Sequence, residues 1–218
     1  IMEASALTAI RTAAASVVAT QALARPDSST LAILGTGEEA RSHIEAFQAV
    51  RPFERVIVWG RNPDAARECA EYALGAGCAH VEVAATVAAA AAAADVVCTV
   101  TGSPTAILSG RDVRKGTHLC LVGASIPSSR EVDDDLVASS RYFVDYRGSA
   151  LAQAGELLDA IKAGRVTAAH ILGEIGDVLS GTVPGRLTHD DVTVYKSLGV
   201  AAQDLVSALV VNRHALER

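Results

Sequence analysis

The feature that most constrains this chain is the hexapeptide Gly35-Thr36-Gly37-Glu38-Glu39-Ala40. It follows the apolar run Leu31-Ala32-Ile33-Leu34 and opens a segment with helical periodicity to about Val50. The spacing is G-x-G-x-x-A. Its first glycine permits a tight turn, its second lets main-chain amides approach a diphosphate, and its small last residue lets the helix pack closely on a sheet. The helix then points its free amides and partial positive charge at the anion. Alone the string is weak, but between a buried strand and a helix it predicts a dinucleotide-binding turn.

The rest of the chain supports that context. Leu31–Leu34 is apolar on both faces, as a buried parallel strand requires. Further strand candidates are Val56–Trp59, Val81–Val83, Val96–Val100, His118–Val122 and Tyr142–Val144. Helical segments separate them, one begun by Asn62-Pro63 (a cap followed by proline in the first turn) and one by Thr86 before an alanine-rich run. Six strands alternating with helices predict an α/β fold, a Rossmann-type doubly wound parallel sheet with flanking N- and C-terminal helices. Before it, residues 5–24 read as a helix, with Leu7, Ile10, Ala14, Val17 and Val18 at helical spacing and a stop at Arg25-Pro26-Asp27. After Asp145 the pattern predicts helices near 150–164 and 170–180, a strand-like run Val192–Tyr195, and a final helix from about Ala201 to Arg213. The expected organisation is a helix linking to a second domain in 1–24, a Rossmann domain in 25–190, and a strand-helix segment in 191–218 that returns to that second domain.

Composition removes other classes. Half of the residues are hydrophobic and 20% are charged, so a sizeable core is available. The net charge of -6 offers no basic excess for nucleic acid. Cysteines at 69, 78, 98 and 120 lack metal or redox spacing, and read as reduced buried thiols of a cytoplasmic protein. The six histidines form no i, i+4 pair, so no metal is expected. The alanine-rich stretch from Val83 to Ala94 is too short to span a bilayer, and no membrane partner is expected.

The end of the second strand bears on cofactor choice. Enzymes using NAD place an acid there for the ribose 2′-hydroxyl. Here the residues are Gly60-Arg61-Asn62, with no carboxylate before Asp64. An arginine can pair with a 2′-phosphate, so NADP(H) is the expected cofactor and NAD(H) the alternative. Glu38 and Glu39 stand in the loop that would contact the diphosphate; as carboxylates they are expected to turn away from it.

Several segments together resemble one family. They are Leu7-Thr8-Ala9-Ile10-Arg11-Thr12-Ala13-Ala14, the Gly35 loop, Val58-Trp59-Gly60-Arg61, Val122-Gly123-Ala124-Ser125-Ile126-Pro127, Arg130-Glu131, and Thr193-Val194-Tyr195-Lys196-Ser197-Leu198-Gly199 with Asp204. These are similar to the ornithine cyclodeaminase/mu-crystallin family. The resemblance implies a homodimeric oxidoreductase whose second domain, built from an N-terminal segment and the C-terminal helix, binds substrate and forms the dimer. The chain opens almost at the Arg11 helix, so the expectation is a fragment or processed form, or a chain that does not turn over substrate alone.

By position, the resemblance implies that Arg11 contacts the substrate carboxylate, Thr12 lies by the diphosphate, Thr101 lies against the cofactor, Ser125 and Ser197 lie near the nicotinamide, and Glu174 lines the ligand pocket. Read from the residues alone, Arg11 and Arg61 could be exposed arginines, Ser125 a turn residue and Glu174 a solvated helix carboxylate. The family's cyclodeaminases carry an aspartate where Ser125 stands. The serine resembles the mu-crystallin branch, which reduces cyclic ketimines with NADPH. The implied activity is reduction of the C=N bond of a small imino acid or cyclic ketimine, with Arg11 and Ser125 at the reacting end. Ornithine cyclodeaminase or alanine dehydrogenase activity is the alternative within enzymes, and a non-catalytic NADPH or small-ligand binder the alternative outside them.

Overall fold

In the computed structural model, which describes residues 4–217, the elements follow the predicted order as far as Val144. The helices are α1 (Ala4–Leu23), α2 (Glu38–Val50), α3 (Pro63–Gly75), α4 (Val87–Ala93), α5 (Asp134–Ser139), α6 (Arg147–Gln153), α7 (Gly155–Lys162), α8 (Ile175–Leu179) and α9 (Ala201–Leu216). The strands are β1 (Thr30–Leu34), β2 (Arg55–Trp59), β3 (His80–Val83), β4 (Val96–Thr99), β5 (His118–Leu121), β6 (Arg141–Val144), β7 (Ile171–Glu174) and β8 (Thr193–Lys196). They form one parallel sheet in the order β3-β2-β1-β4-β5-β8-β6-β7.

The two-residue alternation of side-chain direction along a strand explains the layering. Along β1, Leu31 and Ile33 join a core layer with Ala19 and Leu23 of α1, Ile44 and Phe47 of α2, and Cys69 and Ala73 of α3. Ala32 and Leu34 face the other layer, with Ala90 and Ala91 of α4, Leu136 of α5 and Leu157 of α7. All five β1 residues are buried, as a central strand covered on both faces demands. The caps form as read: Asn62 Oδ1 accepts from the Asp64 amide, and Thr86 Oγ1 from the Ala89 amide. All four cysteines are free and buried. By length and composition α1 could cross a membrane, yet in the fold one face of it, including Ala13, Val17 and Leu23, is buried in the core.

The helix expected near 150–164 is divided at Ala154 into α6 and α7. Two more segments differ from expectation. Residues 170–180 are not one helix: 171–174 form the edge strand β7, and only the short α8 follows. Burial alternates from Ile171 to Leu172 to Gly173, a strand period too brief to stand out in the sequence. The second difference concerns 191–218. Its strand, β8, lies inside the sheet between β5 and β6, while α9 packs on α1 with none of its described residues buried. Gly199, at φ +82°, turns the chain between them, and a Cβ there would collide with the Arg11 guanidinium.

Candidate functional site

The sheet order reverses at β1, which pairs with β2 on one side and β4 on the other. Loops leaving the carboxyl ends of strands at such a point diverge to opposite faces and leave a crevice. A cleft of about 340 Å³ opens there, lined by Gly35, Thr36, Gly37, Trp59, Gly60, Arg61, Asn62, Val100, Thr101, Gly102, Ser103 and Ile107. Gly35 sits at φ +135°, and a Cβ on it would lie 2.6 Å from the Val100 carbonyl oxygen. A Cβ on Gly37 would meet nothing within 4 Å, so the space above the turn is open. Gly37 caps α2 without any side-chain hydrogen bond, which leaves first-turn amides of a 13-residue helix for an anion. These features fit the diphosphate of a dinucleotide.

A second cleft, of about 260 Å³, lies over the ends of β5 and β8, beyond the N-terminus of α2. Thr8, Arg11, Thr12, Glu39, Val122, Gly123, Ser125, Ser197 and Leu198 line it. Arg11 reaches it from α1, held by Asp204 (Nε to Oδ1, 2.9 Å) and Gln203 (Nη1 to Oε1, 3.4 Å) on α9. Ser125 is exposed at the rim, whereas Ser197 is buried and its Oγ has no partner of bonding geometry. Gly37 of the first cleft and Glu39 of the second both stand at the start of α2.

The expectation that both carboxylates turn away holds for Glu38 and fails for Glu39. Glu38 is exposed and lines neither cleft. Glu39 faces the second cleft, because the helical turn places it one position further round, over Arg11 and Thr12. Burial pushes its carboxyl above the ordinary carboxylate range, with Arg11 pulling it down and Glu38 pushing it up.

Glu131 carries a role that its place in the Arg130-Glu131 pair did not disclose. Its buried carboxylate takes five hydrogen bonds. Oε1 accepts from the Thr101 amide and Oγ1, each 2.7 Å; Oε2 accepts from Thr99 Oγ1 (2.8 Å) and the amides of Gly123 (2.8 Å) and Ala124 (3.3 Å). It fastens the loop after β4 to the loop after β5, one in each cleft. Beneath them Lys196 and Glu156 form an ion pair at 2.8 Å, almost wholly buried, and Lys196 Nζ donates to the Ala124 carbonyl. Lys196 therefore does more than end a strand. A run of acids near a motif could have flagged Glu131, but its target amides are set by the sheet.

The structure thus gathers Gly35, Thr36, Gly37, Gly60, Arg61, Asn62 and Thr101 around the first cleft, and Arg11, Thr12, Glu39, Ser125 and Ser197 around the second. The Thr101 hydroxyl is already given to Glu131, and Asn62 Oδ1 to the cap of α3. Glu174 stands apart at the edge strand: its Oε1 accepts from the Arg147 amide at 2.9 Å, and it caps α8. Among the described residues no three His, Cys, Asp or Glu side chains gather as a metal site.

A sequence profile of the ornithine cyclodeaminase/mu-crystallin family matches residues 1–218. The chain is 39% identical over 211 residues to the ketimine reductase mu-crystallin of Mus musculus, covering 97% of this chain and 63% of that protein. It is 38% identical over 214 residues to a Δ1-pyrroline-2-carboxylate reductase of Paracoccus denitrificans (strain Pd 1222), covering 98% and 67%. The structure of the Thermococcus litoralis Δ1-pyrroline-2-carboxylate reductase, in complex with NADH and L-proline, superposes with a TM-score of 0.93 at 32% identity, covering 97% of this chain and 65% of that one.

Proposed function

Since this chain belongs to the ornithine cyclodeaminase/mu-crystallin family, we propose that it binds a nicotinamide dinucleotide and reduces the C=N bond of a small imino acid or cyclic ketimine. The observation that carries the reading is the pair of clefts meeting at the free N-terminus of α2, with Arg11 in the second. Likeness to a ketimine reductase and to a Δ1-pyrroline-2-carboxylate reductase supports the substrate class.

The residues have separable tasks. Amides of the Gly35–Gly37 turn and the first turn of α2 hold the diphosphate. Arg11, fixed by Asp204 and Gln203, offers its remaining N–H groups to the substrate carboxylate. Holding that carboxylate would fix the orientation of the C=N bond within the second cleft, which is the entropic share of catalysis. The bound dinucleotide supplies hydride; the protein supplies position and field.

We favour NADP(H). Arg61 is exposed at the mouth of the first cleft, no carboxylate lines that cleft, and Asp64 is already paired with Arg67. A charge-assisted contact to a 2′-phosphate contributes about 1.5–3 kcal/mol, or roughly 10–100-fold in affinity. Separate titrations with NADPH and NADH test this in wild type and Arg61→Ala. A loss confined to NADPH is expected; equal affinities throughout would remove the phosphate contact. Sustained ammonia release from ornithine without added reductant would overturn the reductase reading in favour of a cyclodeaminase. The assembly we propose is a homodimer, with Leu205, Val206 and Leu209 of α9 among the exposed apolar residues it would cover; a monomeric sedimentation coefficient counts against it.

A further inference from the structure

Glu39 is the feature that the binding turn does not explain. A carboxylate in the first turn of a helix is ordinarily favourable, but this one faces a cleft where a diphosphate is to arrive. Its Oε2 is shut off from solvent and has no hydrogen-bond partner. The charged and titratable groups around it offer no dedicated counter-charge. His43, one turn on, has Nδ1 3.7 Å from Oε2, yet that ring is fully buried, with Nδ1 bonded to the Glu39 carbonyl and Nε2 to Ser16 Oγ. Burial lowers the His43 pKa, which keeps the ring neutral. Arg11, from α1, is engaged by Asp204 of α9. Glu38 adds a like charge. The residues contributed after β5 and β8 are Val122, Gly123, Ser125, Ser197 and Leu198, none of them charged.

Resting on the dinucleotide reading above, we propose that Glu39 takes up a proton when the dinucleotide binds and is the acid of the reaction, passing that proton to the nitrogen of the C=N bond. Diphosphate binding would add negative charge beside the carboxyl and cover the part of its side chain that is still exposed, and both effects favour the neutral acid. The balance is complete. The C=N carbon receives hydride and its C–H bond forms. The C=N π pair moves to nitrogen, the Glu39 O–H bond breaks and the N–H bond forms. NAD(P)H is oxidised to NAD(P)⁺ and the imine is reduced to the amine. The carboxylate left behind has Arg11 in the same cleft, and NAD(P)⁺ would carry one more positive charge than NAD(P)H, so the charge it regains is offset.

The test uses NADH and NADPH as probes, titrated calorimetrically into the full chain and into Glu39→Gln in two buffers of different ionisation enthalpy. Wild type is expected to take up protons on binding, with a dissociation constant that weakens by up to about tenfold per pH unit above the loading range. Glu39→Gln is expected to take up none and to bind with little pH dependence. With Δ1-pyrroline-2-carboxylate, kcat of Glu39→Gln should fall by about 10²–10⁴-fold while KM changes little. Glu39→Asp should keep the proton uptake, which preserves the test if the glutamine variant does not fold. Equal proton uptake in wild type and Glu39→Gln, or an undiminished kcat in that variant, overturns the proposal. Failure of the wild type to bind either dinucleotide, or to oxidise NADH or NADPH with the imine, would instead defeat the reading of the site on which it rests.

Discussion

Removing one oxygen's charge at Glu131 should loosen both halves of the site at once. In Glu131→Gln the best placement sets the amide oxygen where Oε2 was, keeping the donors Thr99 Oγ1, Gly123 N and Ala124 N. The amide nitrogen then faces two former donors, the Thr101 hydroxyl and the Thr101 amide. The hydroxyl can rotate and accept, but the backbone N–H cannot. A buried donor left unmatched costs about 1–3 kcal/mol, and the surviving bonds lose their charge assistance. A total of about 2–3 kcal/mol follows, or roughly 4–12 °C in Tm for a chain of this size. Glu131→Ala, which strands the Thr101 and Ala124 amides while the Gly123 amide keeps its bond to the Thr99 carbonyl, should cost about 3–5 kcal/mol. The assay is a urea or thermal midpoint measured beside NADH and NADPH affinity. Thr101 and Gly123 line the two clefts, so affinity should fall together with stability. A glutamine variant within about 0.5 kcal/mol of wild type, with unchanged affinity, would refute the clamp.

Three further outcomes follow from the same geometry. Lys196→Met leaves Glu156 charged and buried, and should destabilise by about 3–5 kcal/mol, whereas adding Glu156→Leu should recover most of the loss in denaturant titration. His43 has a lowered folded pKa, so the unfolded chain binds the extra proton; stability should fall as pH drops below the ordinary value of 6.5, by up to about 1.4 kcal/mol per unit, and His43→Gln should flatten that part of the pH–stability curve. Gly35→Ala places a Cβ 2.6 Å from the Val100 carbonyl at a φ that L residues avoid; it should abolish dinucleotide binding in a fluorescence titration, with a strain of about 1–3 kcal/mol visible in the melting curve.

Much of the fold was legible in the sequence because its determinants are local. The G-x-G-x-x-A turn, the Asn62-Pro63 start of α3 and the all-apolar β1 each depend on residues a few positions apart, through turn stereochemistry, helix capping and side-chain period. The placement of Arg61 at the first cleft came from the same source, since it follows directly on the second strand. What escaped was set by partners distant in sequence. β7 has too few residues for its period to show. The insertion of β8 between β5 and β6 depends on the final crossover. Glu131 finds its amides on two strands' loops, Lys196 meets Glu156 only after β8 enters the sheet, and the inward turn of Glu39 matters because α1 brings Arg11 opposite. Backbone turns and caps close over single residues and can be read in line. Buried charges must be satisfied by whichever groups the packing delivers, and only the assembled sheet decides which those are.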